Sequence, residues 1–150
     1  MGFRLTDNEA WDMIAAARSG VLTTLRRDGR PVPLPVWHVT DHEAIYVQTP
    51  SRSKKLRRIA HDPRGSFLVE EGAAWAELRA VVLPVQCRTL TDVAQSAERL
   101  AAIAEKYADH TISAELLPPP VAANYADMVV VELVPDGPPL SWNNAALLGK

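Results

Sequence analysis

Apolar and polar positions along the chain repeat with two different periods, and the two are segregated. Short β-rich runs occupy Val21–Leu25, Val32–Val39, Ala44–Thr49, Ser66–Glu70, Ala74–Leu90 and Met128–Val134, which predicts six strands. The last is almost wholly apolar, as in a strand covered on both faces. Helical spacing governs three other stretches. Thr6-Asp7-Asn8-Glu9 forms a capping box ahead of Trp11, Ile14, Ala15 and Arg18, and Gly20 stands where a C-cap is expected. A short basic helix follows Ser53 and stops at Asp62-Pro63. A longer one runs from about Thr91 to Ala108. Its apolar stripe is Val93, Ala97, Leu100, Ala101, Ala104 and Tyr107, and its polar side is Asp92, Gln95, Glu98, Arg99, Glu105 and Lys106.

Turn chemistry orders these pieces. Asp28-Gly29 between the first two strands predicts a tight hairpin with both central residues at positive φ. The second strand is unusual, because Pro31, Pro33 and Pro35 alternate with Val32, Leu34 and Val36. Proline donates nothing to a ladder, so this strand must have an edge, a bulge or a ligand wall along one side. Gly72 marks a turn, Pro84 a bend in the long fifth strand, and 109–124, with three consecutive prolines, an irregular connection. Hairpins early and one late helix describe a mainly β chain with helices attached, an antiparallel barrel rather than βαβ units. One domain accounts for residues 1–150.

The composition narrows the function classes. A net charge of −2 gives no general surplus of cations for a polyanion. The single cysteine, Cys87, lies in an apolar strand and reads as an inert core thiol. With one thiol there is no internal disulfide and no zinc knuckle. No leader pattern opens the chain and no apolar run nears the roughly 20 residues of a membrane span, so a cytoplasmic protein is expected. Nucleophile elbows and His-Glu-x-x-His are missing, and no two histidines stand at ligand spacing. No catalytic side chain and no metal site is expected. An enzyme built this way borrows its chemistry from a cofactor.

One basic cluster stands against the near-neutral background. Thr49, Ser51 and Ser53 carry hydroxyls, and Arg52, Lys54 and Lys55 carry charges, at the start of the basic helix. Hydroxyls, a guanidinium, ammonium groups and free first-turn amides suit a phosphate. A solvated basic helix face is the competing reading, and Arg57 and Arg58 fit it. Trp37 and His38, on the proline strand, read first as packing residues, as do Trp75 and Trp142. Four tryptophans also permit an aromatic-lined pocket for a flat ring. His42, His61 and His110 fall in turns or loops.

Gly20-Val21-Leu22-Thr23-Thr24-Leu25-Arg26-Arg27-Asp28-Gly29-Arg30-Pro31, then Pro35-Val36-Trp37, Ser53-Lys54-Lys55-Leu56-Arg57-Arg58 and Asp62-Pro63-Arg64 together resemble the pyridoxamine 5'-phosphate oxidase-like superfamily. Within it the chain is most similar to actinobacterial flavin and deazaflavin oxidoreductases. The resemblance implies a split β-barrel homodimer, Greek-key-like, with cofactor sites in grooves between subunits. It implies FMN, or alternatively the deazaflavin coenzyme F420, as cofactor, with a small organic substrate exchanging hydride with the ring. The family's phosphate-binding lysine falls on Lys55, with Ser53 and Lys54 beside it. The strand lining the ring falls on Pro35, Val36 and Trp37, and the strand leading to the phosphate on Gln48 and Thr49. Trp75, Arg79 and Trp142 correspond to partner-subunit contacts. Arg52, Arg57, Arg58 and Arg79 are candidates for the acidic tail of F420.

Two departures qualify the match. Leu78 or Val82 stands where many relatives have glycine. The ending Ser141-Trp142-Asn143-Asn144 lacks the arginine that true pyridoxamine phosphate oxidases use for substrate. A second reading, from another class, is a carrier of flavin, haem or tetrapyrrole without turnover. His38 would then be the histidine placed for an axial bond.

Overall fold

A computed structural model describes residues 3–149. Among them, eight strands form one antiparallel sheet with four α-helices attached. The strands are β1 (Gly20–Leu25), β2 (Pro31–Val36), β3 (His38–Thr40), β4 (Ile45–Pro50), β5 (Arg64–Glu71), β6 (Arg79–Thr89), β7 (Met128–Pro135) and β8 (Leu140–Asn143). They run in the order β2-β1-β5-β6-β7-β4-β3, with β8 added against the first half of β6. The two end strands, β2 and β3, are consecutive in the chain and separated only by Trp37. The sheet therefore curls until its ends come together at one residue. This is the split β-barrel.

Six strands were predicted and eight are present. The proline strand divides in two at Trp37, because β2 pairs with β1 and β3 pairs with β4. The tail supplies the other addition, β8. As the prolines require, β2 is an edge strand with β1 as its one neighbour. The final apolar strand is central, between β4 and β6, with Val130–Leu133 buried.

Residues inside the barrel come from alternate positions of each strand. Leu22, Phe67, Val69, Val81, Leu83, Val85, Val131 and Leu133 form the core with Ala10, Met13 and Ile14 of α1 (Asp7–Ala16) and Ile59 of α2 (Lys54–His61). Thr6 and Glu9 make the expected capping box. Gly20 is not the C-cap. The helix ends at Ala16, and Gly20 opens β1 against the Phe67 ring, where a Cβ would lie 2.1 Å from Cζ. The first hairpin also differs. Gly29 alone has positive φ, at 84°, and the loop spans Arg27–Gly29 between the paired Arg26 and Arg30. That is a three-residue loop with a glycine bulge.

The helix α3 (Val93–Lys106) packs outside β3, β4 and β7 on Tyr46 and Val130, but on a face rotated from the expected stripe. Val93 is 83% exposed, whereas Ile103 and Tyr107 are buried. Two cations turn inward with them. Arg99 lies over the Tyr46 ring and donates to Asp41, and the Lys106 ammonium donates to the carbonyls of Ala15, Ala17 and His38. Long basic side chains lay their stems on apolar surface once their heads find acceptors, so polar positions join the buried face. Residues 74–78 were expected to start a strand and instead form a 3-10 turn at Trp75–Glu77. The irregular connection likewise holds a helix, α4 (Pro119–Ala126), begun by proline at its first positions.

Candidate functional site

The break at Trp37 brings the ring-wall and phosphate candidates together. His38 pairs with Val47, and there the β3–β4 ladder ends. Gln48, Thr49 and Pro50 continue along β4, paired on one side only, with β7. The free edge of β4 therefore begins where Trp37 departs toward β2. Val36 is buried, Pro35 is exposed and Trp37 is half-buried. From this edge the chain runs into the basic segment. Thr49 is buried, and its hydroxyl donates to Ser53 Oγ at 3.0 Å.

Ser53 is the N-cap of α2 and accepts from the Leu56 amide. The Lys54 and Lys55 amides of the first turn are left without an intrahelical partner. Two lysines at the positive end of a helix, with no acidic residue in the first turn, oppose the helix dipole. Lys54 is exposed. Lys55 is half-buried, and burial first and the nearby Arg58 second hold its ammonium below the usual lysine range. Among the described residues no carboxylate pairs with Lys55 or Arg58. Arg58 donates through Nε to the buried Thr24 hydroxyl at 2.7 Å, and its own pKa is lowered by burial and by Arg26. A cation cluster without counter-charge at a helix N-terminus is matched to an anion.

Arg58 thus leaves the solvated face on which the sequence placed it, whereas Arg57 remains exposed. The pattern held the information. Lys55 and Arg58 are three apart and share one helical face, and Thr24 has the same inward parity as Leu22 on β1.

The other candidates lie elsewhere on the sheet. Arg79 and Trp142 sit where β8 pairs with the start of β6, ten residues before Thr89 at the other end of that strand. Arg79 is ion-paired to Glu71 within the chain. Trp75 is 61% exposed, and its carbonyl accepts from the Asn144 amide. Trp142 is also exposed. A single chain does not bring these three to the β4–α2 segment.

His38 does not face the groove. Its ring is fully buried, and Nε2 donates to the Ile14 carbonyl at 2.7 Å. Burial keeps it neutral, with a pKa lowered to about 4. It offers no axial nitrogen to a haem. Cys87 is buried with its pKa pushed up to about 12, an inert thiol as expected. Among the described residues there is no cluster of metal-ligating side chains, and no helix is long and apolar enough to cross a membrane.

Comparison with known proteins agrees with this architecture. The family profile described as pyridoxamine 5'-phosphate oxidase matches residues 6–137. No curated protein matches the chain by sequence. Among solved structures, the chain is similar to the conserved hypothetical protein Rv2991 of Mycobacterium tuberculosis, at 26% identity and a TM-score of 0.80, covering 97% of this chain and 89% of that one. It shares its fold with an FAD-binding protein of Mesorhizobium loti, at 18% identity and a TM-score of 0.69, covering 91% and 92%. An F420 reductase aligns at 21% identity and a TM-score of 0.64, covering 84% and 92%. With most of its length matched by that profile, the chain belongs to the pyridoxamine 5'-phosphate oxidase family.

Proposed function

We propose that the chain is a flavin-type oxidoreductase that holds FMN, or alternatively coenzyme F420, by its phosphate at Ser53, Lys54, Lys55 and Arg58. One observation carries this reading: the half-buried Lys55 ammonium, beside Arg58 and at a helix N-terminus, has no carboxylate partner among the described residues. A phosphate there neutralises the cations and meets the free amides together. The ring lies along the free edge of β4, against Gln48 and Thr49, with Pro35, Val36 and Trp37 as the opposite wall. When bound, it supplies hydride exchange with a small organic substrate. The protein's own residues anchor and orient it, and no side chain is required as acid or base.

In this reading the protein is a homodimer, and Trp75, Arg79 and Trp142 reach the ring of the partner's site. FAD-binding and F420-reducing proteins share the fold, which supports a flavin-type ligand over others. A heme storage protein of Vibrio cholerae shares it as well, but the buried His38 disfavours haem here. The test is spectroscopic. Purified protein titrated with FMN and with F420 should shift the absorbance of one of them saturably and gain heat stability. A chain indifferent to both is not a flavin-type oxidoreductase.

A further inference from the structure

Beside the phosphate seat, on the far side of Ser53, lies a cleft of about 390 Å³ lined by Ser51, Arg52, Pro120, Ala123, Asn124 and Asp127. That volume is within the range of small-ligand sites. Its floor is fixed, because the Ser51 amide donates to the Asp127 carbonyl at 3.0 Å and the Ser51 hydroxyl to Asp127 Oδ2 at 2.6 Å. Its wall is one face of α4, since Pro120, Ala123, Asn124 and Asp127 follow helical spacing. Pro120, Ala123 and Asn124 are exposed. Arg52 is exposed and makes no ion pair among the described residues, while the Asp127 carboxylate is occupied by Ser51.

We propose that this cleft receives the part of the cofactor that extends past its first phosphate, with an anionic group on Arg52 and the remainder against Pro120 and Ala123. The inference rests on the phosphate reading of Ser53–Arg58, to which Arg52 is joined directly through the chain. The first phosphate fills the seat, and the next segment of a longer cofactor enters a cleft that begins one residue away. Arg52 offers a planar fork to an anion. Asn124 offers an amide to a hydroxyl or a carbonyl, and the proline and alanine offer a flat apolar surface. Two cofactors carry such an extension. One is a flavin dinucleotide, with a second phosphate and a nucleoside. The other is a deazaflavin with a carboxylate tail.

Titration of the full chain with FMN, FAD and F420, followed by ligand fluorescence, separates the possibilities. FAD and FMN share a ring, so a difference between them reports the extension alone. At least one extended cofactor should bind ten times or more tightly than FMN, and which one does so names the tail. Ala123→Trp, a substitution on an exposed helix face that fills the cleft, should erase the surplus while FMN affinity stays within twofold. Arg52→Glu should weaken the extended cofactor in the same direction. FMN binding with no surplus for either longer cofactor overturns the cleft and leaves the seat standing. A surplus that survives both substitutions also overturns it. No binding by any of the three overturns the seat, and the cleft with it.

Discussion

The indole of Trp37 lies flat on the phenol of Tyr107, with ring centroids 4.3 Å apart and planes 2° from parallel. The same tyrosine accepts from the His38 amide at 3.0 Å and donates to the His38 carbonyl at 3.2 Å, while the neighbouring Lys106 donates to that carbonyl at 2.8 Å. The C-terminal end of α3 thereby holds the residues at which the sheet breaks. A broken ladder leaves backbone groups without strand partners, and here side chains from a distant helix satisfy them.

Tyr107→Phe tests this arrangement, because it keeps the stacked ring and removes only the hydroxyl. A buried His38 amide without an acceptor costs about 1–3 kcal/mol. Urea unfolding should show a loss of that size, with the near-ultraviolet circular dichroism of the aromatic stack retained. Unchanged stability would mean that the hydroxyl does not support the break.

Acid sensitivity should trace to His38. The unfolded chain takes up a proton near the ordinary histidine pKa of 6.5, but burial delays uptake in the folded chain until about pH 4. Between those values the unfolded state binds more protons, so stability rises with pH across the window and falls as pH drops from 6.5 to 4. The loss is at most about 3 kcal/mol. His38→Gln keeps an amide to donate to Ile14 and has nothing to titrate, so it should flatten this slope in urea unfolding at pH 7 and pH 4.5. Asp62, whose pKa Arg64 holds down to about 2, acts in a separate window below the ordinary aspartate range. A slope unaltered by His38→Gln would assign the effect to another group.

Gly20 and Phe67 should behave as a coupled pair. A methyl group on Gly20 meets the Phe67 ring, and Phe67 is fully buried with its edge against His38. Gly20→Ala should therefore destabilise by about 1–3 kcal/mol through overpacking. Phe67→Leu costs stability on its own, but the double variant should lose clearly less than the sum of the two. Strict additivity in a double-mutant cycle would show that the contact is not what keeps this position glycine.

Much of the barrel was legible in the chain because period-2 runs and capping chemistry act locally. The Thr6 capping box, the central apolar β7 and the edge status of the proline strand all follow from nearest-neighbour physics. What was hidden depends on distant partners. Nothing near Trp37 in sequence announces that the strand breaks there, since the stabilising hydroxyl belongs to Tyr107, sixty-nine residues from His38. The face of α3 is rotated because Asp41 and three backbone carbonyls attract Arg99 and Lys106. In the candidate site, Ser53 and Lys55 announced themselves by type and order. Arg58 did not, because its role depends on Thr24 across the fold.

The basic cluster makes a final prediction in which stability and binding move in opposite directions. Lys55 is desolvated, adjacent to Arg58 and set against the helix dipole, so the free chain gains nothing from its charge. Lys55→Ala should leave the free protein as stable as before or stabilise it by up to about 1 kcal/mol. The same change removes a charge-assisted bond to phosphate, which costs about 1.5–3 kcal/mol of FMN binding, roughly 10- to 150-fold in Kd. Arg58→Ala should weaken binding as well and also free the buried Thr24 hydroxyl. Arg57→Ala, on the exposed face of the same helix, should change neither quantity. Because burial lowers the pKa of Lys55, affinity for FMN should also fall on the alkaline side before an ordinary lysine would deprotonate. Urea unfolding of the free proteins and fluorescence titration of FMN measure the two effects separately. A Lys55→Ala protein that unfolds more easily yet binds FMN as the wild type does would make Lys55 a structural residue and remove the phosphate from this helix.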